Sequence, residues 1–486
     1  MSKTDNYYVT TSLPYVNGAP HLGHAMEFVM ADVLARYARK NKKNVILSTG
    51  TDEHGSKIAE KAQEMDVDTK QLAETNSDLF KDLLKKLNVS HDRFIRTTDP
   101  GHMQRAQLIW KKIEKDIYKN TYTGWYCTGC EEYKSEAHVK ETNGVCPDHN
   151  RKYERLEEEN YFFALSKYQS QIKQAINSTS MLVTPETRRN ETLSLLESGL
   201  DDISISRPKD KLSWGVSVPG DDTQVMYVWF EALMNYITVL GYPEHNDFKD
   251  FWPADVQVIG KGINRFHTAI WPGILLSLGI DLPKTIYVHG YVAVGGEKMS
   301  KSLGNAVTPD SIVDTYGVDA FRYFFLRHIP SYGDGDYTKE RFEAVFNSEL
   351  ANELGNTVSR TAAMVTKYQN GLIGNIPPPE HDIAEHIKYL NDCHFDLALD
   401  KVWQQIRGLN QYIDEQKPWV IAKSDDAEHL AEVLAYIVSC LLEIGDLLLP
   451  FMPETAEKII TTFKSGVVAN DLAPLFPRIE SDIVAA

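Results

Sequence analysis

Tyr7-Tyr8-Val9-Thr10-Thr11-Ser12, then Leu13-Pro14-Tyr15, then His21-Leu22-Gly23-His24: this is the stretch from which the fold is read. The apolar run has the length and composition of a buried strand. Pro14, Asn17, Gly18 and Pro20 form a turn rich in breakers. Met26, Val29, Met30, Val33 and Tyr37 then recur at helical spacing. The two histidines therefore stand at a strand-to-helix junction, where backbone N–H groups and the helix dipole favour a phosphate. Gly23 has no side chain, which would let a flat ligand approach the backbone. His21 and His24 could donate hydrogen bonds to phosphate oxygens whose charge grows in a transition state. Taken alone, the four residues read equally well as two surface histidines capping a helix.

A second stretch far along the chain, Glu297-Lys298-Met299-Ser300-Lys301-Ser302, follows the strand-like Ile286-Tyr287-Val288 and the turn Gly295-Gly296. Two lysines three apart in a loop of small residues suit a pyrophosphate clamp, each acting as a point charge. By itself this is a charged surface loop. Together the two stretches are far more specific: His-x-Gly-His near the start and Lys-Met-Ser-Lys-Ser after a second αβ region resemble the class I aminoacyl-tRNA synthetases. That resemblance implies a Rossmann-type catalytic fold, ATP as substrate and an aminoacyl-adenylate intermediate. It assigns catalysis to His21, His24, Lys298 and Lys301, and ATP contacts to these with Gly23 and Ser300.

The chain has 486 residues, which calls for two to four domains. Its 42% hydrophobic and 24% charged residues are ordinary for a globular protein. A net charge of −17 argues against a body coated in basic residues for nonspecific nucleic-acid binding, though a local basic face remains compatible with it. No apolar segment follows Met1-Ser2-Lys3, so no secretory signal is expected. The longest apolar runs are broken by residues such as Glu443 and Asp446, so no membrane span is expected. Five cysteines in this length make no disulfide framework, and three of them cluster, pointing to metal in a reducing cytosol.

Residues 1–115 alternate strand and helix, with Asn44-Val45-Ile46-Leu47-Ser48 as a second strand running into a loop, Thr49-Gly50-Thr51-Asp52-Glu53-His54-Gly55. Loops at the carboxyl ends of strands form the ligand crevice of open α/β sheets, which places Asp52 to meet a substrate ammonium. A helix N-cap is the competing reading. Residues 116–215 break the rhythm. Here Cys127-Thr128-Gly129-Cys130 and Cys146-Pro147-Asp148-His149 give C-x₂-C and C-x₂-H, four ligands at the spacing of a structural zinc knuckle. The αβ pattern resumes from 216 to 295, with Val225-Met226-Tyr227-Val228-Trp229-Phe230 and the strand Val256-Gln257-Val258-Ile259-Gly260. Ile263, Phe266, His267, Ile270 and Trp271 follow at helical spacing, a pattern equally suited to a core face. Residues 296–348 carry the lysine loop and a stem-contact region. From 349 to 486 the periodicity is helical, as in Leu354, Val358, Ala362, Val365 and Tyr368, and reads as a bundle interrupted by Ile376-Pro377-Pro378-Pro379. Cys393 and Cys440 fall in helical patterns and read as core thiols.

Ser12-Leu13-Pro14-Tyr15, the Thr49–Gly55 loop, the Cys₃His knuckle, Arg265-Phe266-His267, Asn356-Thr357-Val358-Ser359-Arg360 and Pro418-Trp419 narrow the resemblance to methionyl-tRNA synthetases over nearly the whole chain. That family implies a methionine pocket of Leu13, Tyr15, Asp52, Val228, Trp229, Ala232, Leu233, Tyr236, Ile263, Phe266 and His267. It implies anticodon reading by Asn356, Arg360 and Trp419. The implied activity is ligation of L-methionine to tRNA(Met) with a CAU anticodon, with ATP and Mg²⁺, one structural Zn²⁺, and a cytoplasmic location. No appended C-terminal module is recognised, which makes a monomer the expectation. An unbranched thioether suits aromatic walls and one polar contact, from Tyr15 or His267. One position departs from the family. After Gly260-Lys261 an acidic residue usually binds the ribose, and here Gly262 stands instead. A small-molecule nucleotidyltransferase, or a non-catalytic zinc-knuckle protein binding nucleic acid, are the competing readings.

Overall fold

The computed structural model describes all residues except 1–4, 129–131, 135, 148–149, 297–306, 380, 425, 470–471 and 481–486. It divides into two units, Met1–Pro20, Lys42–Lys85 and Ser90–Val288 in the first, His21–Asn41, Lys86–Val89 and His289–Ala486 in the second.

The first unit is built on a six-stranded sheet in the order Arg93–Arg96, Asn44–Thr51, Asn6–Thr11, Val256–Gly260, Thr285–His289, Leu182–Thr184. Asn6–Thr11 pairs in parallel with both neighbours, Val9 facing Leu47 on one side and Val256 on the other. Strands buried on both faces read as near-continuous apolar runs, which is why both of the early strands stood out in the sequence. The strand order reverses at Asn6–Thr11 beside Val256–Gly260. That is a topological switch point, and the carboxyl ends of these strands open a crevice there.

One detail differs from the sequence reading. The second strand continues through Thr49-Gly50-Thr51, so the loop starts at Asp52. Gly50 is needed in the strand because a Cβ there would lie 1.9 Å from the Ile95 carbonyl oxygen of the neighbouring strand. The run Val225–Phe230 is not one strand. Asp221–Met226 ends an antiparallel three-stranded sheet where Met226 meets Ser206, its last ladder partner. The chain then closes into the short helix Val228–Ala232, with the Phe230 N–H donating to the Tyr227 carbonyl at 3.0 Å.

Between the strands Arg93–Arg96 and Val256–Gly260 lies an antiparallel excursion. Its long ladder pairs Ile117–Cys127 with Glu154–Phe163, from Ile117 opposite Phe163 to Tyr126 opposite Glu154. The excursion is not wholly separate, since Leu182–Thr184 within it returns to the edge of the parallel sheet against Thr285–Tyr287.

In the second unit Leu22–Lys40 is a long helix. Val292–Val294 pairs in parallel with Gly335–Tyr337. Helices Phe395–Gln416, Ala427–Leu448 and Pro453–Lys464 form the expected bundle. Leu399, Val402, Trp403, Ile406, Leu409 and Ile413 are buried at the spacing of one helical face. Past residue 348 the described residues hold one isolated bridge, Leu372 to Val467, and no strand. Cys440 is a buried helical thiol as expected. Cys393 is buried too, but in the turn between Ala384–Asn391 and Phe395–Gln416 at φ +58°.

The fully buried Arg322 fixes this unit internally. Its guanidinium lies 2.8 Å from the Asp32 carboxylate and donates to the carbonyls of Phe451 at 2.7 Å, Pro450 at 3.0 Å and Leu87 at 3.2 Å. A desolvated guanidinium is tolerable only when its donors are satisfied in this way. Among the described residues no helix is long and apolar enough to cross a membrane.

Candidate active site

The crevice of the first unit gathers most of the residues expected to bind an amino acid. Leu13 and Tyr15 follow the strand Asn6–Thr11, Asp52 follows Asn44–Thr51, and Ile263, Phe266 and His267 follow Val256–Gly260. The Asp52 N–H donates to the Pro14 carbonyl at 2.9 Å, and the Val16 N–H donates to the Asp52 carbonyl at 3.2 Å, stitching the first two segments together. Asp52 is buried and lies three residues before Gly55, which occupies the N-cap of Ser56–Glu64. The capping reading of Asp52 is thereby removed.

Aromatic rings form the wall. Tyr15 stands edge-on to Trp229 at 5.8 Å between centroids, and Trp229 stacks on Phe266 at 4.1 Å and 15°. Phe266–Ile270 is a π-helical turn leading into Trp271–Leu278. Such turns shift side chains off the α-helical period and are frequent at functional sites. His267 is buried within it; its Nε2 lies 2.6 Å from the Tyr236 hydroxyl and its Nδ1 lies 3.0 Å from the Ile263 carbonyl. A carbonyl only accepts, so Nδ1 carries the proton in a neutral ring and Tyr236 donates to Nε2. Gly262 is exposed in the short turn Lys261–Ile263.

In the second unit His21 is the N-cap of Leu22–Lys40. Its Nδ1 accepts from the His24 N–H, and the Nδ1 of His24 accepts from the His21 N–H, both at 3.3 Å. The rings stack at 3.6 Å and 16°. A Cβ at Gly23 would meet the His21 ring at 3.1 Å, so this glycine makes room for the histidine pair itself. The capping reading and the phosphate reading are therefore compatible: Nδ1 caps, which puts the proton of a neutral ring on Nε2. Desolvation holds both imidazoles below their ordinary pKa, His24 further depressed by His21 and His289. His21 is exposed and His24 is half-buried. Neutral imidazoles at pH 7 hydrogen-bond a phosphate without bringing a full charge. The buried His289 lies 2.9 Å from Glu27 one turn along the same helix, a pair that sequence spacing alone did not disclose.

Lys298, Ser300 and Lys301 lie outside the described residues, as do Cys130 and His149. Leading into the lysine loop, the Gly296 N–H donates to Asp336 Oδ1 at 2.9 Å, with φ of +64° and +79° at Gly295 and Gly296. Cys127 ends the strand Ile117–Cys127. Cys146 sits in a tight reversal where its N–H donates to Arg151 and its carbonyl accepts from Asn150, both at 2.8 Å. Both cysteines are buried, in a cluster whose other buried members are Val139 and Tyr153. Among the described residues no group of three metal ligands is present.

On Asn356–Gln369, Asn356 is exposed and Arg360 lies one turn further on. The Arg360 guanidinium sits 4.8 Å above the Trp419 ring and 2.8 Å from Asp414. Lys417, at φ +48°, turns the chain into Pro418 at the first position of a short helix, leaving Trp419 half-buried. Of the three residues expected from the sequence, Arg360 and Trp419 are adjacent, and Asn356 lies on the same helix as Arg360.

A parallel sheet with a ligand crevice at its switch point, a histidine pair at a helix N-terminus and a helical C-terminal region are the features of a class I tRNA synthetase. The chain matches the family described as tRNA synthetases class I (M) over residues 7–362. It is 42% identical to the methionine–tRNA ligase of Caldanaerobacter subterraneus subsp. tengcongensis, covering 99% of this chain and 80% of that protein. It is 40% identical to that of Mycobacterium tuberculosis, covering 93% and 91%. The solved Mycobacterium tuberculosis methionyl-tRNA synthetase in complex with methionyl-adenylate superposes with a TM-score of 0.91 at 37% identity, covering 97% of this chain and all of that one. The chain belongs to the methionine–tRNA ligases, the methionine branch of the class I synthetases.

Proposed function

We infer that this chain activates methionine with ATP and transfers it to the 3′ end of tRNA(Met), the observation carrying this being the aromatic crevice with buried Asp52 in a member of this family. In the first step a methionine carboxylate oxygen attacks the ATP α-phosphorus in line. The new O–P bond forms as the bond to the β-phosphate bridging oxygen breaks, and pyrophosphate leaves. Magnesium entering with ATP neutralises charge on the departing group. In the second step the terminal adenosine hydroxyl of the tRNA attacks the methionyl carbonyl and AMP leaves.

The protein's part is positioning and electrostatics. Asp52 meets the substrate ammonium; Leu13, Val228, Ala232, Leu233 and Ile263 with the rings of Trp229, Tyr236 and Phe266 enclose the side chain. Because His267 already holds Tyr236 and the Ile263 carbonyl, it orders the wall, and Tyr15 supplies the polar contact to sulfur. His21, Gly23 and His24 receive the ATP phosphates, and Lys298, Ser300 and Lys301 close over them. With Gly262 in place of an acidic residue, the ribose is held by backbone groups or other side chains. Methionine-dependent ATP–pyrophosphate exchange tests the first step.

The reading extends to a helical anticodon-binding domain from 349, a catalytic domain split by the 116–215 insertion, and a cytoplasmic monomer, the last testable by light scattering. In the anticodon domain the half-buried Trp419, with the Arg360 guanidinium over its ring, is the side chain expected to stack on an unpaired base. Trp419→Ala is expected to lower kcat/KM for charging tRNA with a CAU anticodon roughly ten- to hundredfold, the loss of one base stack, while exchange barely changes. An equal fall in exchange would mark Trp419 as a support of the fold.

A structural zinc fits the insertion. Its donor set is Cys127, Cys130, Cys146 and His149, with no open position for substrate. A cluster with so few buried apolar residues calls for a covalent or metal staple. Cys146→Ser is expected to abolish binding of one zinc per chain and make the insertion protease-sensitive while the parallel sheet stays folded. Wild-type protein free of zinc by elemental analysis would overturn this assignment.

A further inference from the structure

Glu231 is a buried carboxylate in the first unit to which the activation chemistry gives no role. It is fully buried on the helix Val228–Ala232, between the pocket residues Trp229 and Ala232. Its two oxygens point in different directions. Oε1 lies 2.7 Å from His54 Nδ1, and Oε2 lies 2.8 Å from His102 Nε2. An ionised carboxylate only accepts, so each ring donates from the named nitrogen. His54 belongs to the segment that carries Asp52. Its ring stands edge-on to Trp214, whose indole N–H donates to the Glu53 carbonyl at 2.5 Å. The Glu53 side chain is itself gripped by Arg96 at 2.7 and 2.8 Å. His102 lies on Pro100–Lys112 and its Nδ1 is 2.8 Å from the Thr238 hydroxyl.

The physical point concerns the helix that bears Glu231. Five residues are too few to hold a helix in place by their own hydrogen bonds, so tertiary ties decide where its side chains sit. A buried carboxylate is retained only with hydrogen-bond partners, and here both oxygens have one. The tie through His54 runs straight to the segment of Asp52, and the tie through His102 runs to a different helix. We propose that Glu231 is a positioning residue that, through His54, sets the spacing between Asp52 and Trp229 and so the fit of the pocket to an unbranched side chain. The proposal rests on the methionine-pocket reading above and adds a residue that touches no substrate.

The test is methionine-dependent ATP–pyrophosphate exchange on full-length Glu231→Gln, His54→Gln, His102→Gln and Trp229→Ala, each corrected for the active fraction by adenylate burst. Glu231→Gln keeps the volume but not the charge, and is expected to raise the methionine KM about tenfold or more, with kcat and the ATP KM changed by about twofold or less. His54→Gln cuts only the arm to the Asp52 segment and is expected to match it. His102→Gln loosens the helix that starts three residues after Thr97, whose hydroxyl lies 3.5 Å from Asp52 Oδ1, and is expected to lower Tm with a rise in methionine KM smaller than that of His54→Gln. A lowered Tm with unchanged methionine KM in both Glu231→Gln and His54→Gln overturns the proposal, as does a KM rise in His102→Gln as large as or larger than that in His54→Gln, which would assign the spacing to the Thr97 side instead. If Glu231→Gln does not fold, the two histidine variants decide. Trp229→Ala separates the levels: an unchanged methionine KM there overturns the pocket reading and this proposal together, whereas a raised KM with silent Glu231 and His54 variants overturns this proposal alone.

Discussion

His24→Ala is expected to lower the kcat of methionine-dependent ATP–pyrophosphate exchange by about 10²–10³-fold, with little change in the methionine KM. The magnitude is that of removing one preorganised hydrogen-bond donor from a developing phosphate charge. The Nδ1 of His24 accepts from the His21 N–H, so in the neutral ring the proton sits on Nε2, the atom that would donate to the nucleotide. The imidazole is neutral at pH 7, since burial and the neighbouring His21 and His289 disfavour its cation. The same substitution removes half of a reciprocal cap, worth about 1 kcal/mol of stability. The two losses are separable. His24→Gln restores a side-chain acceptor at the third helical position, as in the usual capping box, and is expected to recover the melting temperature without recovering the rate. Recovery of both would reduce His24 to a cap.

Lys301→Ala is expected to have an effect of similar size, about 10²–10³-fold on adenylate formation, again with methionine binding nearly unchanged. A lysine that closes on pyrophosphate as the bond breaks acts more strongly in the transition state than in the ground state, so its loss appears in kcat. Single-turnover formation of methionyl-adenylate, followed with methionine affinity measured by equilibrium dialysis, reads both quantities. Equal losses in affinity and kcat would instead mark Lys301 as a residue supporting the loop's structure.

The parts of the fold that were legible in the sequence are those where burial is total. Val9 and Leu47 lie in strands covered on both faces, and the early helix and the face of Phe395–Gln416 repeat with the helical period. The extension of the second strand through Gly50 was hidden because glycine reads as a loop residue. Its reason is a single close approach to Ile95, which only the fold reveals. Val225–Phe230 joins a short strand to a short buried helix, and the two together are apolar throughout, so the boundary between them leaves no mark in the sequence. The return of Leu182–Thr184 to the parallel sheet depends on a partner about a hundred positions away and leaves no local trace.

The candidate site shows the same division. Residues that carry motifs, such as His21, His24 and Asp52, were visible from spacing and resemblance. The residues that hold them were not. Glu231 sits in a short apolar helix, His102 in a helix of mixed polarity, and His289 ends a strand, with nothing in their neighbours to announce a buried ionisable group. His54 lay within the quoted Asp52 loop, and the unusual density of polar residues there was the one available signal.

The central claim is that the crevice lined by Tyr15, Asp52, Trp229 and Phe266 selects methionine for activation. ATP–pyrophosphate exchange measured with methionine, leucine, valine and cysteine in parallel tests it most directly. The account predicts rapid exchange with methionine and rates lower by orders of magnitude with the other three. Exchange driven as well by leucine, valine or cysteine would contradict it.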